Sequence, residues 1–98
     1  MRYVLGLDNG GTMTKAALFE ENGREVAVAS RETPLSTPHT GWNERDMEEL
    51  WQANAACIRE ILTTSGVASE QIAGVGCTGH GKGLYLWGKN GAPAYAGI

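Results

Sequence analysis

Glycine placement constrains this chain more than any other feature. Most of its 14 glycines fall in clusters beside short apolar runs: Gly6, Gly10 and Gly11, then Gly74 and Gly76, then Gly79, Gly81 and Gly83. Linker glycine is dispersed, whereas clusters of this kind mark backbone that turns tightly or is approached closely. Tyr3 to Leu7 is almost wholly apolar and reads as a strand buried on both faces. Asp8-Asn9-Gly10-Gly11 is a turn signal, and Ala16 to Phe19 resumes a strand. Asn22-Gly23 is the strongest hairpin signal, because both residues tolerate positive φ. Glu25 to Arg31 alternates, with Val26, Val28 and Ser30 on one face. The opening therefore predicts three antiparallel strands joined by two tight turns.

Glu32 to Asn43 holds Pro34 and Pro38 and no period, so it reads as a loop. A helix is expected next, with Asp46 as N-cap and Glu49 completing a capping-box pattern. Leu50, Trp51, Asn54, Cys57, Ile58, Ile61 and Leu62 recur at helical spacing as one mostly apolar face. Trp51 is expected in the core, and Gly66 is expected to end the helix as a left-handed cap. Ile72 to Cys77 reads as another buried strand. Leu84 to Trp87 reads as one more, ahead of an Asn90-Gly91 turn. Strands, a helix and strands again make the fold class α/β.

Composition narrows the function. The chain has 98 residues, 42% hydrophobic, with a formal net charge of −3, which is ordinary globular make-up and allows one small domain. Mild acidity offers no basic footprint for nucleic acid or an anionic membrane. No apolar run approaches the roughly 20 residues that cross a bilayer, and no signal-peptide pattern opens the chain. Cys57 and Cys77 lack metal-ligand spacing and lie in apolar patterns, so both are expected to be buried thiols, with the cytoplasm as the default location.

The first element with chemistry in it is Gly6-Leu7-Asp8-Asn9-Gly10-Gly11-Thr12-Met13-Thr14-Lys15. A strand delivers a carboxylate into a glycine turn, which then offers hydroxyls and an amine. Glycine lets backbone N–H groups converge on an anion, so Gly10 and Gly11 suit phosphate. Thr12 and Thr14 can donate to phosphate oxygens, and Lys15 can add a point charge. Asp8 is placed to hold Mg²⁺ directly or through its waters. A plain hairpin could use the same Asp and Gly for turn geometry alone. Lys15 is followed by Ala16 and strand residues, so this is not a Walker motif, and no helix starts there, so it is not a dinucleotide fingerprint.

These residues carry a resemblance. Leu7-Asp8-Asn9-Gly10-Gly11-Thr12, with Lys15 and Leu18, resembles the first phosphate motif of the actin, hexokinase and heat-shock chaperone ATPase superfamily. Gly41-Trp42-Asn43-Glu44-Arg45-Asp46 with Glu49-Leu50-Trp51 resembles the loop-and-helix signature of FGGY carbohydrate kinases. Gln71 to Thr78 is similar to the strand that follows it. The motifs stand in order from Tyr3 to the end of the chain. Glu44-Arg45-Asp46-Met47, Gly81-Lys82-Gly83-Leu84 and the stretch from Leu62 to Ile72 look most like L-xylulose/3-keto-L-gulonate kinases.

The resemblance implies a ribonuclease H-like fold of which residues 1–98 are the N-terminal part, the remainder of that domain and a C-terminal domain lying beyond. It implies ATP and Mg²⁺ as cofactors, a small-molecule sugar as substrate, and a catalytic general base beyond Ile98. Thr78-Gly79-His80-Gly81-Lys82-Gly83 is expected to touch the sugar through His80, Gly81 and Lys82. Relatives place an Arg-Glu pair here in glycerol kinases, or a Met-His pair in D-xylulose kinases. Gly81 and Lys82 depart from both, and a lysine could pair with the carboxylate of 3-keto-L-gulonate. His80 and Lys82 could equally be solvated loop residues. Trp42 reads as a packing residue ahead of the helix rather than a wall of the sugar cleft, and Glu44-Arg45-Asp46 as a solvated helix start. The competing expectations are a kinase for another ketose or polyol, an actin- or chaperone-like ATPase, and a truncated, non-catalytic binding module. On its own the chain is expected to be inactive and prone to aggregate or bind a partner.

Overall fold

The computed structural model describes residues 1–98. Its first strands are β1 (Tyr3–Asn9), β2 (Met13–Glu20) and β3 (Glu25–Glu32), an antiparallel meander as the turn signals require. At the β2–β3 turn only Gly23 takes positive φ, at 97°, and no residue other than glycine does so anywhere in the chain. The β1–β2 turn closes with the Gly10 N–H donating to the Met13 carbonyl at 2.9 Å. A Cβ on Gly10 would sit 3.2 Å from that carbonyl oxygen, so this tight turn has little room for a side chain.

Helix α1 (Met47–Ser65) begins at Asp46, whose Oδ1 accepts the Glu49 N–H at 3.0 Å. It ends at Gly66, left-handed at φ 72°, whose N–H donates to the Leu62 carbonyl. A single 3₁₀ turn (Ser69–Gln71) leads into β4 (Ile72–Thr78). β4 pairs parallel with β1, giving the sheet order β3-β2-β1-β4. A parallel neighbour needs a crossover, and the helix supplies it.

The helix packs across β2 and β3 on one face of the sheet. The core is small: Leu5, Ala16, Leu18, Ala29, Cys57 and Ile61. On β3 the covered face carries Ala27 and Ala29, small enough for the helix to come close, while Val28 on the opposite face is exposed. β1 and β4 are therefore not buried on both faces as their apolar runs predict. Val4 is exposed, Val75 is 56% exposed, and Cys77 is an exposed thiol, unlike buried Cys57. The physical reason is coverage, since α1 packs chiefly on β2 and β3 and on one face of the sheet.

Two further expectations are corrected. Trp51 is 70% exposed. At 100° per residue it lies about 120° around the helix from Cys57, outside the stripe that faces the sheet. Leu84 to Trp87 forms no regular strand, because after Gly79 the chain leaves the sheet and these residues pair with the chain's own return. Leu84 and Ile98 exchange backbone hydrogen bonds of 2.8 and 3.0 Å, Trp87 bridges Pro93, and Gly91 makes the intervening turn at φ 78°. No helix is long and apolar enough to cross a membrane.

Candidate functional site

Because β1 and β4 run parallel and side by side, with Asp8 opposite Thr78, the glycine turn after β1 and the His80 loop after β4 leave the sheet from the same end. In α/β sheets ligands gather at this carboxyl end of the strands. Asp8, Lys15 and Thr78 share a groove on the uncovered face, about 660 Å³ in volume, floored by Gly6 and Gly76. Asp8 and Lys15 are cross-strand partners, yet neither is held in an ion pair. At the turn between the strands, the N–H groups of Gly11 and Thr12 donate to no acceptor in the chain. Two free amides at the turn, and a lysine and an unpaired carboxylate in the adjoining strands, offer anion donors and a cation ligand at one end of the sheet.

Thr14 does not join them. It is fully buried on the helix side, and its hydroxyl donates to Asn9 Oδ1 at 3.0 Å. The expected role of Thr14 at phosphate is corrected to a structural one, since strand alternation turns it away from the face that carries Lys15. The same Asn9 oxygen accepts a 2.7 Å hydrogen bond from Asn54 Nδ2 of α1, which fixes the base of the turn to the helix. Asn54 Oδ1 is buried and accepts nothing.

A second groove, about 410 Å³, lies on the helix side of the turn and includes Asn9, Gly10, Asn54, Gly79, His80 and Tyr85. His80 is half-buried there, whereas Gly81 and Lys82 are exposed and line neither groove. The expected sugar-contact set thus divides, with His80 inside the groove and Gly81-Lys82 on the outer rim of the loop. Gly83 closes that loop with its N–H on the His80 carbonyl, and a Cβ there would strike the rings of both Tyr85 and His80.

The strongest polar anchor is one that sequence reasoning dismissed. Glu44 and Arg45 do not form a solvated helix start, and Arg45 is only 6% exposed. Its Nε donates to the Gly11 carbonyl at 2.8 Å, its Nη2 donates to the same oxygen, and its Nη1 lies 3.3 Å from His80 Nδ1. The backbone of Arg45 is itself clamped by Gly97. Glu44 Oε2 accepts the Tyr95 hydroxyl at 2.7 Å, which pushes the Tyr95 hydroxyl above its ordinary pKa of 10.0. Trp42 does not pack onto the helix. It is exposed, set edge-on against His39 at 4.6 Å, and shares a recess with Tyr95 and Ile98. The sequence signal for Asn54 was present, a polar residue inside an apolar helical stripe. For Arg45 there was none, since an arginine between two acids reads as solvated.

The donor set suits magnesium better than a metal caged wholly by protein. No cluster of three or more His, Cys, Asp or Glu side chains could hold an ion. Magnesium keeps several waters and takes one or two carboxylates beside phosphate, which an unpaired Asp8 at the strand end could supply.

Comparison with known proteins places this geometry. Residues 3–98 match the N-terminal domain of the FGGY family of carbohydrate kinases. The L-xylulose/3-keto-L-gulonate kinase of Escherichia coli (strain K12) is 50% identical over 94% of this chain and 18% of its own length. A glycerol kinase of Citrifermentans bemidjiense is 37% identical over the whole chain and 20% of its length. The crystal structure of xylulose kinase from Rhodospirillum rubrum superposes with a TM-score of 0.88 at 37% identity, over 99% of this chain and 20% of that one. The chain thus spans about a fifth of the length of the relatives it matches. With the turn, the crossover helix and the parallel strand all matched in order, the chain belongs to the FGGY family of carbohydrate kinases.

Proposed function

We propose that the full-length protein transfers a phosphoryl group from ATP to a hydroxyl of a ketose, L-xylulose or 3-keto-L-gulonate. In this reading residues 1–98 are the N-terminal part of a two-domain kinase and supply the phosphate turn and one wall of the sugar site. The observation that carries it is the convergence of two loops at one sheet end, Asp8 to Thr12 after β1 and Gly79 to Gly83 after β4.

Phosphoryl transfer is chiefly positioning and charge stabilisation. Gly11 and Thr12 would present their free N–H groups to phosphate oxygens, with Lys15 adding charge from the adjoining groove. Asp8 would hold Mg²⁺, charge neutralisation on the phosphates being what that ion supplies when bound. His80 faces the second groove, where it can hydrogen-bond a sugar hydroxyl. The turn between the grooves is then the place where phosphate and hydroxyl meet. A general base would come from outside these residues, because Asp8 is committed to the metal.

The substrate assignment rests on the half-identical relative, with Lys82, on the outer rim of the loop, as the charge an acidic ketose would meet. Glycerol kinases are the second reading, supported by 37% identity over the whole chain. ADP release by the full-length protein with Mg²⁺-ATP decides between them on a panel of L-xylulose, 3-keto-L-gulonate, D-xylulose and glycerol. Turnover confined to the first two is expected, whereas strong turnover of glycerol or D-xylulose would end the substrate assignment. Lys82→Ala should cut the preference for the acidic ketose over the neutral one roughly tenfold, one charge-assisted contact being worth about that. An unchanged ratio removes Lys82 from recognition.

A further inference from the structure

We infer that Arg45 is a positioning residue that sets the phosphate turn and the sugar loop together, fixing the Gly11–Thr12 peptide at one end of its guanidinium and the tautomer of His80 at the other. The inference deepens the kinase reading and rests on it for the roles of the two loops. Its contacts stand independently of that reading.

The guanidinium is buried and its partners are a backbone carbonyl and an imidazole. No carboxylate lies within ion-pair distance of it. A buried cation without a counter-charge is costly, so its geometry is held by what surrounds it rather than by ion pairing. One of those supports is the exchange of backbone hydrogen bonds with Gly97, 2.8 Å and 2.7 Å long.

At the first end, two guanidinium donors converge on the Gly11 oxygen. In a trans peptide the carbonyl and the following N–H point in opposite directions. Holding the Gly11 carbonyl toward Arg45 therefore turns the Thr12 N–H away from it. That N–H has no acceptor in the chain. Glycine lowers the cost of many backbone orientations, so without the clamp this peptide would be free to rotate.

At the second end, arginine can only donate. A hydrogen bond from Nη1 requires a lone pair on His80 Nδ1, which leaves the ring proton on Nε2. Nε2–H is then a fixed donor for a sugar oxygen. Glu44 and Asp46, the acids adjacent in sequence, hydrogen-bond the Tyr95 hydroxyl and the Glu49 N–H and not the imidazole, and Gly83 and Tyr85 lie beside the ring.

Steady-state kinetics of the full-length protein test the double role. Arg45→Gln should raise the KM for ATP and for the sugar, each about tenfold. His80→Ala should raise the sugar KM alone. The double variant should be no worse for sugar than the poorer single variant, because the two residues act as one unit. A KM change on one substrate only, or sugar effects that multiply in full, would overturn the inference. So would a loss confined to kcat and melting temperature with both KM values intact, as a merely structural role would give. Should Arg45→Gln fail to fold, ¹⁵N-histidine NMR of the wild-type full-length protein decides the His80 end. The Nε2–H tautomer is expected, and an Nδ1–H tautomer overturns it. That measurement needs no turnover, so failure on every sugar would count against the kinase reading and leave the Arg45 contacts to be judged separately.

Discussion

Asp8 is the residue on which the proposed metal site turns. Its carboxylate stands at a strand end with no ion pair, in a groove that Lys15 and Glu25 also line. Asp8→Asn keeps the shape and removes that charge. If the proposed reaction holds, kcat/KM of the full-length protein should fall roughly 100-fold or more, the scale of losing one electrostatic contact to the transition state. A change under threefold would place the metal elsewhere. Glu20 illustrates a charge with a structural task. Arg24 grips it through Nε and Nη2, with contacts of 3.0 to 3.1 Å, across the β2–β3 turn. Hydrogen bonding to the guanidinium holds the Glu20 carboxyl below its ordinary value of 4.5. A depressed carboxylate pKa stabilises the fold above the unfolded-state value, and that contribution is lost as pH falls through the depressed folded-state value. Acidification below the ordinary Glu range should therefore loosen this turn. Arg24→Ala should return the Glu20 titration, followed by NMR, toward 4.5, and no movement would mean the pair is idle in solution.

Among the elements, α1 is the best specified, because its ends are written in local chemistry. Asp46 supplies the N-cap acceptor and Gly66 the left-handed stop. Gly66→Ala should cost about 1–2 kcal/mol in a urea melt of the full-length protein, the penalty for a Cβ in the left-handed region. An unchanged midpoint would mean that the cap relaxes freely. The contrast with Trp51 shows what local pattern leaves open. Periodicity put Trp51 beside Leu50 in one stripe, but the stripe that meets the sheet is centred on Cys57 and Ile61, which only tertiary packing decides. Leu84 to Trp87 failed as a strand for a related reason. Apolar alternation licenses pairing without naming a partner, and here the partner is the chain's own return at Ile98. At the sheet end, the placement of Asp8, Gly10, Gly11 and His80 on two converging loops was legible, because a turn signal or a motif marks them. Arg45 was not, since its two contacts lie more than thirty residues away on either side. Thr14 was misplaced because a motif records residue types and not which face of the strand each one takes.

At the scale of the whole molecule, the core is thin and the outline extended. Only 12 of 98 residues are buried, and the radius of gyration is 15.2 Å, above the roughly 13 Å of a compact domain this size. Val4 and Val28 lie exposed on the uncovered face, Val75 is exposed on β4, and β4 offers an unpaired edge. The 98-residue chain studied alone should therefore bind a hydrophobic dye and elute as assemblies. A cooperatively melting monomer that excludes the dye would show that these faces are quiet by themselves. The parallel pairing of β4 with β1 has a consequence in time. The meander from Tyr3 to Glu32 closes through short turns, whereas Leu5 must wait for Val75, across a helix, to find its other neighbour. Closing that long loop is the slow entropic step, so the meander can collapse on the nascent chain well before β4 arrives. The Gly10–Gly11 turn then exists early, and the His80 loop, which follows β4, joins it only after that long loop has closed.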